Sequence, residues 1–256
     1  MTRPDIRLVP LSTGGSGVPF LLGPSLGTRV ARVWERVVPL LGSEHPLFGW
    51  DLPGHGVSPA ATSGFSVDEI AEAVLRAADE AGLPRFAAAG ISLGGVVSLA
   101  VALRAPERVT RTTLVCSLPR IGSPDAWAAR AAQVRASGTP SLVQGSAERW
   151  FAPGFIDAAP TVASPLLLDL RDIDDESYAL CVEALAATDL RPRVAELPMP
   201  FTLITGAVDA VIPLDAAEEA VASARAGALH VIPGASHLAP VEKPAEVAAI
   251  LLSEAS

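Results

Sequence analysis

A chain of 256 residues, 50% hydrophobic and 18% charged, is too apolar to be disordered and long enough for one large domain with its own core. The 19 basic and 28 acidic residues leave a net charge of −9 without a basic patch, which argues against nucleic acid as a partner. The two cysteines, Cys116 and Cys181, form neither a disulfide framework nor a metal-ligand set, and no apolar run approaches a membrane span.

Residues 1–10 lack the apolar stretch of a signal peptide, so a soluble cytoplasmic protein with two buried thiols is expected. Of the basic residues only Lys243 is lysine, a composition bias and not a functional signal.

Short apolar runs alternate with amphipathic stretches, the pattern of a mostly parallel sheet with helices on both faces. Residues 6–9 and 19–22 read as the first strands, with Gly14-Gly15-Ser16-Gly17 as a hairpin turn between them. Residues 29–41 read as a helix with Val30, Val33, Trp34, Val37 and Val38 on one face. Residues 46–50 form a strand. Ser66 followed by Glu69 is a capping box for a helix that buries Val67, Ile70, Val74, Leu75 and Ala78. A strand at 86–89, a helix at 93–104 and a strand at 109–117 follow.

The rhythm then changes. Residues 118–193 hold helical patches at 124–136, 141–150, 164–171 and 175–187, and no strand. Strands at 201–206 and 228–233, with helices from Leu214 and over 245–252, resume the alternation. The expected fold is an α/β core, residues 1–117 and 194–256, interrupted by a helical cap at 118–193. In such sheets, chemistry gathers at the carboxyl ends of the strands.

The strongest motif is Gly90-Ile91-Ser92-Leu93-Gly94, between a strand and a helix. This G-x-S-x-G turn forces its serine into a strained conformation, and glycines two before and two after avoid the clash. A serine hydroxyl needs a base. His230 lies inside a strand, His45 in a surface loop before Pro46, and His55 in the turn-rich Asp51–Gly56 loop after a strand. His237, after the last strand, has the position of a late base. The base needs a carboxylate to set its tautomer. Asp209 follows the strand at 201–206 by a tight loop, whereas Asp215 suits the first turn of the next helix. The expected catalytic residues are therefore Ser92, Asp209 and His237.

An oxyanion needs donors. The Leu93 N–H supplies one. The second falls to Ser25 in Gly23-Pro24-Ser25-Leu26-Gly27, because Pro24 has no N–H. Gly14–Gly17 lacks a P-loop lysine, no G-x-G-x-x-G follows the first strand and no metal-ligand cluster occurs, so no cofactor or metal is expected.

The serine–acid–histidine order, Asp51–Ser58, the elbow and Ser236-His237 resemble the α/β-hydrolase superfamily, which implies that fold. The stretch Arg120-Ile121-Gly122-Ser123-Pro124, with Trp127, Arg130, Glu148-Arg149-Trp150-Phe151, Pro153, Tyr178, Cys181 and Asp189-Leu190-Arg191, resembles the 3-oxoadipate enol-lactonases of the β-ketoadipate pathway. So does Ser25-Leu26-Gly27-Thr28.

That resemblance implies a small carboxylated lactone as substrate, with Arg130 or Arg149 binding its carboxylate and Trp127 or Trp150 forming a wall. Three departures border the site: Pro53 before Gly54-His55-Gly56, Pro240 after the base, and Gly23-Pro24 in the oxyanion loop. Alternative readings keep the triad but change the substrate (a carboxylesterase, another lactonase or a cofactor-free haloperoxidase), or reuse the fold as a non-catalytic ligand receptor. Oligomeric state is not encoded in any motif.

Overall fold

The computed structural model describes residues 4–253, so the outermost residues of the predicted core lie outside the described region. Strands β1 (Leu8–Ser12) and β2 (Phe20–Gly23) are followed by short helices α1 (Val30–Val33) and α2 (Val38–Leu41), then β3 (Leu47–Trp50). Helix α3 (Val67–Glu80), β4 (Phe86–Ile91), α4 (Leu93–Arg104) and β5 (Val109–Val115) complete the first half.

Between β5 and β6 the described residues form helices only. These are α5 (Pro124–Ser137), α6 (Val143–Trp150), α7 (Phe155–Ala158), α8 (Pro160–Arg171) and α9 (Asp175–Ala186), with 3-10 turns at Thr139–Leu142 and Arg191–Glu196. Strand β6 (Phe201–Gly206), α10 (Leu214–Ala222), β7 (Gly227–Ile232), α11 (Ala239–Glu242) and α12 (Pro244–Ser253) close the chain.

The seven strands form one sheet in the order β1-β3-β2-β4-β5-β6-β7. Only β1 runs antiparallel, paired to β3. Strands β2, β4 and β6 are buried along their whole length, as a parallel sheet with helices on both faces requires.

The capping box at Ser66 is made in both directions: Ser66 Oγ accepts from the Glu69 N–H (3.2 Å), and Glu69 Oε2 accepts from the Ser66 N–H (2.8 Å). Deep in the core, Trp34 donates from Nε1 to the Gly23 carbonyl (3.0 Å).

Two sequence expectations are corrected. The helix predicted over 29–41 is two single turns. Pro39 lacks an N–H and its ring collides with the carbonyl four residues back, so the second turn restarts with the proline in its first positions. Gly14–Gly17 is not a hairpin turn, because β3 lies between β1 and β2. The segment crosses against the Gly42–His45 loop, and the Gly17 N–H donates to the Glu44 carbonyl (3.0 Å). Local turn chemistry does not encode which strand will be the neighbour.

Candidate active site

The elbow follows from close backbone approach. Ser92 has φ 53° and ψ −120°, a region that side-chain-bearing residues avoid. A Cβ on Gly90 would sit 2.2 Å from the Gly94 carbonyl oxygen, and one on Gly94 would sit 2.3 Å from the Pro24 carbonyl oxygen. The Ser92 backbone is pinned on both sides: its N–H donates to the Val115 carbonyl (3.0 Å), and its carbonyl accepts from Ser117 Oγ (2.7 Å).

The same close packing joins the elbow to the loop after β2, where the Gly94 N–H donates to the Pro24 carbonyl (3.0 Å). Among the described residues, neither the Ser25 nor the Leu93 amide has a backbone acceptor. Ser25 lines the same cavity as Ser92, so its loop borders the candidate nucleophile.

The loops after β6 and β7 bring Asp209 and His237 together. His237 Nδ1 donates to Asp209 Oδ2 at 3.0 Å, with Oδ1 at 3.2 Å. The Asp209 carboxylate is wholly buried and also accepts from the Val211 and Ile212 N–H groups (2.8 and 3.2 Å). Asp215 is exposed in the first turn of α10. Ser92 and His237 face one cavity of about 360 Å³. No hydrogen bond joins them among the described residues; such contacts are commonly loose in unliganded enzymes and tighten with substrate.

Apart from Leu26 and Val211, the rest of that cavity comes from the helical segment. Arg130 and Arg149 line it, with Trp127, Trp150, Gln133 and Tyr178. Arg130 Nε donates to the Tyr178 hydroxyl (2.7 Å) and its guanidinium lies over the tyrosine ring. Arg149 is half-buried, and burial together with the neighbouring Arg130 charge lowers its pKa. Among the described residues neither arginine forms an ion pair, whereas Arg29, Arg32, Arg104, Arg108, Arg120, Arg135 and Arg191, among others, do. Trp127 is held by its own Nε1 donating to the Ile121 carbonyl (2.6 Å), and Trp150 is buried.

Glu242 ties this wall to the histidine loop. Its two buried oxygens accept from the Ala152 and Ser236 N–H groups (2.7 and 2.6 Å), and burial raises its pKa. The Leu238 N–H donates to the Trp150 carbonyl (3.0 Å), completing the clamp. Sequence reasoning gave Glu242 no role; a lone acid after the apolar run Leu238–Val241 was the available signal.

Two further histidines differ from expectation or exceed it. His45 is not on a surface loop: it is buried, edge-on to Phe20 (ring centroids 5.2 Å apart), with Nδ1 2.9 Å from the Val18 carbonyl. The β1–β3 pairing draws its loop inward. His55, assigned no role from sequence, is buried beneath the loop after β2. Its Nδ1 donates to the Pro53 carbonyl (2.8 Å), its Nε2 accepts from the Gly27 N–H (3.2 Å), and its ring stacks on Tyr178.

Burial pushes the His55 pKa down to about 4, with the Pro53 carbonyl and Asp174 opposing the shift. A depressed histidine makes the unfolded chain the better proton binder between its own pKa of about 6.5 and about 4. The His55 contribution is therefore complete above pH 6.5 and is lost as pH falls toward 4, by about 3 kcal/mol across the window. Urea unfolding at pH 7 and pH 4.5 tests this: the stability difference between these pH values is expected to shrink in His55→Gln, and an unchanged difference would count against the assignment.

The family model described as the alpha/beta hydrolase family matches residues 15–250. The chain is 31% identical over 245 residues to 3-oxoadipate enol-lactonase 2 of Acinetobacter baylyi, covering 95% of this chain and 91% of that protein. It is 31% identical over 229 residues to the pimeloyl-[acyl-carrier protein] methyl ester esterase of Edwardsiella ictaluri, covering 86% and 87% of the two chains. The crystal structure of the enol-lactonase from Burkholderia xenovorans LB400 superposes with a TM-score of 0.90 at 26% identity, covering 98% of this chain and 95% of that one. The chain belongs to the alpha/beta hydrolase family.

Proposed function

We propose that this protein is a serine hydrolase that opens the ring of a small carboxylated lactone, 3-oxoadipate enol-lactone, in the β-ketoadipate pathway of aromatic degradation. The observation that carries the reading is the pair Arg130 and Arg149, without acid partners, in the cavity that holds Ser92 and His237. Half-buried guanidinium groups in a chain of net charge −9 suit an anionic ligand. The names of the relatives in Acinetobacter and Burkholderia agree with that substrate. In this reading residues 118–193 act as a cap on the core of 1–117 and 194–256, and the enzyme works in the cytoplasm without a cofactor.

The chemistry runs as acyl transfer. Ser92 Oγ attacks the lactone carbonyl and passes its proton to His237, whose Nδ1 is held by Asp209. The Ser25 and Leu93 N–H groups receive the oxyanion. The tetrahedral intermediate collapses, the ring C–O bond breaks, and the enol oxygen takes the proton from His237 and ketonises. Water, deprotonated by His237, then attacks the acyl-enzyme and releases the free acid and Ser92.

The test is turnover of 3-oxoadipate enol-lactone alongside a neutral aryl acetate. Charge-assisted hydrogen bonds contribute about 1.5–3 kcal/mol each, so Arg149→Met, and more so the Arg130→Met/Arg149→Met pair, should raise KM for the anionic lactone by tens of fold or more. KM for the acetate should stay within a few-fold. A wild type inactive on the lactone, or an unchanged KM in the double variant, would overturn this assignment.

The second reading, favoured by the esterase relatives, is an open-chain carboxylic ester as substrate. A kcat/KM higher for a methyl half-ester than for the enol-lactone would select it.

A further inference from the structure

A second cavity of about 480 Å³ opens beside the first, where the two ends of the helical segment meet α10. Its floor is apolar: Leu118, Pro119, Pro213, Ala216 and Ala220. Arg120 and Arg191 lie at its rim, but both are matched to Asp189. Arg191 binds that carboxylate through Nε and Nη2 (2.9 and 2.6 Å), and Arg120 reaches it at 3.2 Å. The cavity thus combines an apolar floor with a charged lining in which Arg120 and Arg191 share Asp189 and Glu219 stands beside them, whereas Arg130 and Arg149 next door have no acid within ion-pair distance among the described residues.

Gly122 and Val211 line both cavities. These two shared residues stand between the cavities, and one of them is a glycine. Gly122 has φ +64°, and a Cβ there would sit 2.9 Å from Trp127 Nε1. Val211 is fixed through its N–H to Asp209 Oδ1 (2.8 Å), so the partition stands on the side of the acid–histidine pair. The histidine delivers its proton to the leaving oxygen, which places the alcohol half of a substrate on that side.

We propose that the second cavity receives an unbranched alkyl chain on the alcohol side of an open-chain ester, giving the enzyme a further activity toward alkyl half-esters of short dicarboxylic acids. The inference rests on the serine-hydrolase reading above. The free carboxylate meets Arg130 and Arg149, and the alkyl arm passes the Gly122–Val211 partition. Ser92 Oγ bonds to the acyl carbon, the bond from that carbon to the alkyl oxygen breaks, and the alkoxide leaves as the alcohol with the proton from His237. Water then hydrolyses the acyl-enzyme to the diacid. A lactone keeps its leaving oxygen tethered and leaves the second cavity empty.

The experiment compares kcat/KM for monomethyl and monohexyl adipate in wild type, Ala216→Phe and Ser223→Trp, with fluorophosphonate labelling of Ser92 as the control. Ser223 is exposed at the end of α10, so its variant guards against misfolding at Ala216. The hexyl ester is expected to exceed the methyl ester by about tenfold or more in wild type, and at least one filled variant should remove that advantage while labelling and methyl-ester hydrolysis persist. Equal rates for the two esters in wild type, no hydrolysis of either by a labelled enzyme, or an advantage that survives both variants would overturn the proposal. Failure of Ser92 to label would instead overturn the hydrolase reading beneath it.

Discussion

Replacing Ser92 with alanine is expected to lower kcat for ester or lactone hydrolysis by on the order of 10⁶-fold, with little change in stability. The backbone at this position is strained by about 1–3 kcal/mol whichever side chain it carries, because φ 53° disfavours any Cβ. Alanine keeps the Cβ and so keeps the strain. The pinning bonds from the Ser92 N–H to Val115 and from Ser117 to the Ser92 carbonyl are both backbone features of residue 92 and survive the change. Glycine, by contrast, relieves the strain, so Ser92→Gly should be equally inactive but more stable than Ser92→Ala. Single-turnover kinetics, mass spectrometry of the acyl-enzyme and thermal unfolding of the two variants measure these outcomes together. Undiminished turnover in either variant, or a covalent adduct on another residue, would remove Ser92 from the chemistry.

Asp209→Asn carries the second-largest expected effect, about 10⁴-fold in kcat at neutral pH with the fold intact. The reason lies in what each oxygen does. Oδ1 accepts from the Val211 and Ile212 N–H groups, and an asparagine oxygen can keep both bonds. The other position, 3.0 Å from His237 Nδ1, becomes an NH₂ group. An NH₂ there favours the tautomer with a bare Nδ1 and a protonated Nε2, which cannot accept the Ser92 proton. The loop is preserved and the base is lost. Asp215→Asn is the internal control: that side chain is exposed and reaches only its neighbour's N–H, so kcat should stay near wild type. An Asp209→Asn enzyme within tenfold of wild type would show that another group orients the histidine.

Much of this could be read along the chain. Helix α4 and strand β6 coincide with their predicted spans, and the Ser66 capping box is made as its spacing implies. Those features depend on contacts within a few residues. The helix predicted over 29–41 had the right apolar face but ignored Pro39, a breaker legible in the sequence and outweighed there by periodicity. The hairpin assigned to Gly14–Gly17 failed for another reason: its turn residues are compatible with a hairpin, but β1 pairs with β3.

By itself the sequence determined the α/β alternation, the strand–turn–helix at Ser92 and the all-helical stretch between β5 and β6, because periodicity, capping and glycine clearance act over short range. Only the tertiary structure decided which side chains share a cavity. The parallel strand order sets the loops of Ser92, Asp209 and His237 at the carboxyl ends of β4, β6 and β7, and Glu242 and the Trp150 carbonyl hold the Arg149 stretch against the histidine loop. Burial of His45 and His55 and the unmatched charges of Arg130 and Arg149 are also products of that assembly. They depend on which distant segments exclude water or supply counter-charges, and no local pattern of residues encodes such neighbours.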